Sequence, residues 1–178
     1  MQKLQKMNNI FIRNIIRFLG LILLQVMLFN NMNLGSYLNP SVYILFILLL
    51  PIKINRSLLL ILAFATGYIM DYLGNTPGLH SAACVFMAFL RPGMINLLFR
   101  NTEFDKNEEP TPFSIGWGGF LRYSIILIPA HQILLFFMEV LSFKHFFFTL
   151  SKSLLSSLLS LFLILVLMLI FSKRRKRI

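Results

Sequence analysis

Residues 67–91 read GYIMDYLGNTPGLHSAACVFMAFLR: two apolar runs joined by a short Gly/Pro turn, with Asp71, His80 and Arg91 inside the runs or at their rims. Few folds tolerate that pattern. An ionisable group at membrane depth is expensive unless it is paired or solvated. Such residues therefore mark either packing contacts inside a helix bundle or a binding site.

Composition identifies the solvent. The 178 residues are 57% hydrophobic and 13% charged, with a mean hydropathy of +0.77. A soluble domain carries roughly a quarter charged residues. Lipid is thus the expected surrounding, and a single membrane domain over residues 1–178 is the expected organisation. The net charge of +11 would point to nucleic acid in a soluble chain. Here the basic residues flank apolar runs, where the positive-inside rule accounts for them, and no nucleic-acid partner is expected. The lone cysteine, Cys84, excludes an intramolecular disulfide and a cysteine-based metal site.

Six apolar runs stand out, at about 12–29, 40–52, 58–73, 79–99, 119–141 and 146–171. A crossing helix needs about 20 residues. The first and the last three runs reach that length, the third is borderline, and the second is short, with Pro51 near its end. The second run either spans a thinned region or is partly re-entrant. Backbone groups in lipid must be satisfied internally, and the runs lack the alternation of a membrane barrel, so the expected fold is an all-α bundle of six transmembrane helices. The first run is long for a signal peptide, and Asn30-Asn31-Met32-Asn33 is a poor cleavage site; it reads as a retained span. All Lys and Arg residues except Lys144, Lys152 and Arg91 fall on one side of this layout, which predicts cytoplasmic termini and a cytoplasmic loop over 100–118. The acidic residues of that loop, Glu103, Asp105, Glu108 and Glu109, read as solvated.

Helical spacing sorts the polar residues onto faces. Ala63, Gly67 and Asp71 recur every four residues; His80, Cys84, Ala88 and Arg91 share one side, as do Ser124, His131 and Glu139, with Gln132 adjacent. Ser153, Ser156, Ser157 and Ser160 form a stripe, and the first span offers Gln25. Small residues allow close helix approach and hydroxyls bond across the gap, so these faces are predicted to point inward. Asp71, His80 and Glu139 share an outer level and could meet. Arg91 and His131 lie deeper, each about nine residues, or ~13 Å, from the inner flank, where they could share a layer with Gln25. For Asp71 and His80 a helix-end hydrogen bond that fixes the turn is weighed against a ligand site. His131 reads as a bundle histidine and Glu139 as a solvated acid near the interface. Arg91-Pro92 reads as a kink, and the terminal KRRKR as an orientation signal attracted to anionic lipid. No nucleophile, zinc-helix or phosphate-loop motif is present, and no paired acids suggest catalysis, so no catalytic residue, metal or cofactor is expected.

These residues resemble the MreD family, the rod-shape-determining membrane proteins of bacteria. GYIMDYLGNTPGLHSAACVFMAFLRP carries the resemblance: Gly67, Asp71 four residues on, then a turn and Pro77-Gly78-Leu79-His80 opening the next span. LLLPIKINRSLLLILAF before it and the basic tail also fit, and the resemblance runs from about residue 17 to 177. It implies a six-helix fold similar to the substrate-binding subunits of vitamin transporters, no enzyme activity, and a place in the inner membrane. It also implies a role in cell shape as part of the elongation complex for peptidoglycan synthesis. The implied partners are MreC, a bitopic protein, and through it MreB, RodA and a penicillin-binding transpeptidase. Asp71, Pro77, Gly78, His80 and Arg91 are the family-motif positions, either packing or holding a ligand. The expected function is a non-catalytic scaffold whose apolar outer groove receives the single span of MreC; the alternative is a small-molecule-binding subunit of a transporter.

Overall fold

The structure, a computed structural model, describes residues 2–29, 38–105, 107–141 and 146–171, with side chains from residue 12 onward except residue 29. The basic tail beyond residue 171, most of the loop between the first two runs, and Lys106 and Lys144 lie outside the described residues, as do the side chains of Lys3 and Lys6. The described chain is all helical, with no strand. Helix α1 (Gln2–Leu24) continues into a π-helical turn, Gln25–Phe29. Helix α2 is Leu45–Leu48, α3 Arg56–Gly74, α4 Leu79–Leu98, α5 Trp117–Val140 and α6 Phe146–Phe171. Helices α3, α4, α5 and α6 are long and apolar enough to cross a membrane.

Local chemistry explains the boundaries. Asn55 caps α3, its side chain accepting from the Ser57 N–H at 2.9 Å. The helix ends on Asn75 in the left-handed region, φ 52°, and Gly78, φ 81°, turns the chain into α4. The resulting α3–α4 hairpin is closely packed: at Gly67, a Cβ would fall 2.4 Å from Ser81 Cα. From there α4 packs on α5 and α5 on α6. Helix α4 runs without a break past Pro92.

The second apolar run is not a crossing helix. Only four of its residues are helical, about 6 Å of rise, yet every residue from Pro40 to Leu50 is buried. Two prolines bracket it, and it is apolar all round because protein surrounds it. It forms the centre of the core: Val42, Tyr43, Ile44, Ile47 and Leu48 sit among Leu59, Met87, Phe120, Leu127 and Ile164. Helix α1 packs mainly on α2, with Phe18 against Phe46 at 4.9 Å between ring centres. The outward faces carry large apolar side chains, among them Ile16 on α1, Met27 on the π turn, Ile61 and Tyr68 on α3, and Leu158 and Phe162 on α6. Patches of that extent suit lipid, not water.

Candidate functional site

An irregular backbone segment inside a bundle creates a demand for hydrogen-bond partners that helices do not create. The inward polar side chains meet it. Near its start, Gln25 holds both sides of the chain: its amide N–H donates to the Pro40 carbonyl at 2.9 Å and its carbonyl accepts from the Val42 N–H at 2.7 Å. The serine stripe of α6 supplies two acceptors, Ser156 Oγ for the Asn39 N–H at 3.2 Å and Ser160 Oγ for the Ser41 N–H at 2.9 Å. Gln132 of α5 donates to the Asn39 carbonyl and to Ser160 Oγ. The stripe is thus more than close packing: it replaces the hydrogen bonds that residues 39–42 would make in a helix.

Arg91 closes the other end. It is fully buried. Its Nε donates to Tyr123 Oη at 2.8 Å, and its Nη atoms donate to the carbonyls of Leu48, Leu50 and Pro51. Tyr123 Oη in turn donates to the Leu48 carbonyl at 3.1 Å. These are the carbonyls left over where α2 ends, and a cation is favoured there. The guanidinium fork spreads its three nitrogens over these acceptors, a reach that the single nitrogen of an ammonium cannot match. Among the described residues Arg91 has no ion pair with an acid. The expected layer of Arg91, His131 and Gln25 is therefore not a mutual contact; all three converge on residues 39–52 from different helices.

Asp71 and His80 divide their tasks. Both carboxylate oxygens of Asp71 are occupied: Oδ1 accepts from Thr76 Oγ1 at 2.6 Å and the His80 N–H at 2.9 Å, and Oδ2 from the Ser81 N–H at 2.9 Å and Ser81 Oγ at 2.6 Å. The carboxylate so caps the first turn of α4, whose N-cap glycine has no side chain to do it. Pro77 and Gly78 shape the turn that allows this approach. Asp71→Asn keeps one acceptor and sets an NH₂ group against Ser81. An expected loss of about 2–3 kcal/mol would register as reduced thermal stability of the purified protein, and Ser81→Ala should lose less.

The His80 ring takes a different partner. Its Nδ1 meets Tyr43 Oη at 2.9 Å, and the same hydroxyl meets His131 Nε2 at 3.0 Å. One hydroxyl can donate to one imidazole and accept from the other. Cys84 Sγ lies 3.8 Å from His131 Nε2. Tyr43, which periodicity did not single out, thereby links α4 to α5 from the centre of the core. Among the described residues, His131 Nδ1 has no hydrogen-bond partner. Glu139 does not join this group. It is exposed and pairs with Lys152 of α6 at 3.9 Å, while Lys152 lies over the Phe136 ring. Of the three groups expected to share an outer level, Asp71 and His80 are joined by a backbone hydrogen bond, and both Asp71 and Glu139 lie close enough to the His80 ring to interact with it electrostatically.

Glu109 corrects a further expectation. Read as solvated, it is buried, with Arg13 on one oxygen and Arg17 on the other at 3.0 Å. Arginines four residues apart on α1 were the available signal. Next to it the Ile52 N–H donates to the Glu108 carbonyl at 2.8 Å, so α1, the end of the buried segment and the long loop meet at one end of the bundle. No cluster of three or more metal-ligating side chains occurs among the described residues.

The class these features define is an all-helical chain with four membrane-capable helices, the make-up of a multi-pass membrane protein, built around a buried irregular segment. No family model, curated protein or solved structure matches the chain.

Proposed function

We propose that this protein is a non-catalytic scaffold of the MreD kind in the bacterial inner membrane. It would cross six times, with both termini in the cytoplasm and the segment over residues 38–52 serving as an irregular second crossing enclosed by protein. Its partner would be the single span of MreC, and through it MreB, RodA and a penicillin-binding transpeptidase in lateral wall synthesis. One observation carries this reading: the interior is filled by the chain's own residues 40–50, all buried, and the inward side chains of Gln25, Arg91, Gln132, Ser156 and Ser160 are spent on the backbone of that segment and its flanks. What is left for recognition is the apolar outer surface, where helix-to-helix packing selects a partner. Polar contacts between helices contribute about 0.6 kcal/mol each, so a rigid interior serves specificity by fixing the outer shape.

The transporter-subunit alternative draws less support. It needs Asp71 and His80 turned to a ligand, and both oxygens of Asp71 and Nδ1 of His80 are engaged within the chain. The decisive experiment is depletion in the native cell. Rods should become round, and MreC should co-purify with the tagged protein from detergent extracts. Rods of normal shape after deletion would refute the scaffold. A reporter fused after Ile178 should be active in the cytoplasm; activity on the far side would overturn the layout.

A further inference from the structure

Helix α1 stands apart from the α3–α6 series. Its main packing partner is α2, through Phe18 on Phe46 and the buried Leu21, and its far face is apolar and exposed at Ile16, Leu19 and Leu23. Two polar clamps hold it. One is Gln25 on Pro40 and Val42, at the point where the helix changes to π geometry. The other is Glu109, which reaches from the loop to Arg13 and Arg17.

The two clamps differ in kind. At Gln25 a neutral amide bonds to backbone deep in the core, beside a π turn, a geometry frequent at functional sites within helices. At Glu109 the contact is ionic and lies at the end of the bundle, with Arg13 nearly half exposed at 46%. The carboxylate is held ready by its own turn: the Thr111 N–H and Ser114 Oγ both donate to the Glu109 carbonyl, and Pro110 and Pro112 flank Thr111, restricting the backbone. An ionic contact on a prepared turn, made at Arg13 and Arg17 on the N-terminal side of the Gln25 clamp of the same helix, has the form of a latch.

We infer that Glu109 with Arg13 and Arg17 is a conformational latch: it holds α1 against the core, and its release lets α1 pivot about the π turn at Gln25–Phe29 and uncover Phe46. The device stands on these contacts alone and does not rest on the scaffold reading. It ties the position of α1 to whatever binds the loop or competes for the two arginines.

Spin-label distance measurements on the full-length protein in lipid nanodiscs test it, in a Cys84→Ser background. One pair, Leu19→Cys with Leu97→Cys, reports α1 against α4. A control pair, Leu97→Cys with Phe162→Cys, reports α4 against α6. All three sites are exposed. With the latch intact both pairs should give one narrow distribution. Glu109→Gln should raise a longer-distance population severalfold in the first pair only, and Glu109→Arg should raise it further. Combining Glu109→Arg with Arg13→Glu and Arg17→Glu should restore the narrow distribution. An unchanged first pair in Glu109→Arg would overturn the latch. Equal broadening of the control pair would overturn it too, since the contact would then hold the whole fold, and so would failure of the charge swap to restore. If Glu109→Arg does not fold, Glu109→Gln read against the control pair decides alone.

Discussion

Gly67→Ala is expected to unfold the α3–α4 hairpin or leave it severely destabilised. The added methyl would stand 2.4 Å from Ser81 Cα and 2.6 Å from both His80 O and Ser81 N. All three are backbone atoms, so no side chain can swing aside, and the two helices must separate. Separation breaks a second set of contacts at once, because Asp71 lies one turn beyond Gly67 and bonds to the same two residues of α4. Overpacking typically costs about 1–3 kcal/mol and loss of a helix cap about 1 more, so a loss of about 3 kcal/mol or greater is expected. Thermal unfolding followed by size-exclusion chromatography in detergent would measure it. Gly93→Ala is the control: among the described residues, no atom other than its chain neighbours and its own helix's backbone lies within 4 Å of the place its methyl would take, and alanine in a helix interior gains about 0.5–1 kcal/mol over glycine. A Gly67→Ala protein as stable as the wild type would show that the helices do not approach this closely.

The second large effect is expected at Arg91. Arg91→Met removes the donors that serve the Leu48, Leu50 and Pro51 carbonyls and leaves Tyr123 with one partner fewer. Each buried polar group left unsatisfied costs about 1–3 kcal/mol, so a loss of at least about 3 kcal/mol follows even after the relief of no longer burying a charge. Arg91→Lys should recover only part of it, since a single ammonium cannot reach Tyr123 and the carbonyls together. The readout is twofold: lower thermal stability, and faster maleimide labelling of a Leu48→Cys probe in a Cys84→Ser background as the end of α2 loosens. Tyr123→Phe should show the same labelling change at smaller size, with about 1–2 kcal/mol lost. If Arg91→Met left the probe protected, the cation would not be what holds the segment.

Both effects trace to residues whose inward orientation is legible from spacing. Ala63, Gly67 and Asp71 recur at one turn and are buried, as are Cys84, Ala88, Arg91, Ser124, His131, Gln132 and the serines of the α6 stripe. Glu139 shares the spacing of His131 but lies in the last turn of α5, where Lys152 and solvent reach it. Periodicity reports the face of a helix and not the depth at which the bundle stops shielding it.

Residue order alone determined the helical class, the inward faces and the α3–α4 turn, because apolar length, four-residue spacing and Gly/Pro chemistry act within a few residues of one another. Only the tertiary structure decided that residues 40–50 are core rather than crossing helix, that Tyr43 bridges two histidines, and that Glu109 is buried. The physical reason is that lipid and protein interior select the same side chains: an apolar run says that water is excluded, not which of the two excludes it. The difference lies in the backbone's hydrogen bonds, and their partners come from other elements: Gln25 from the one just before the segment, and Arg91, Gln132 and Ser160 from helices far away in the chain.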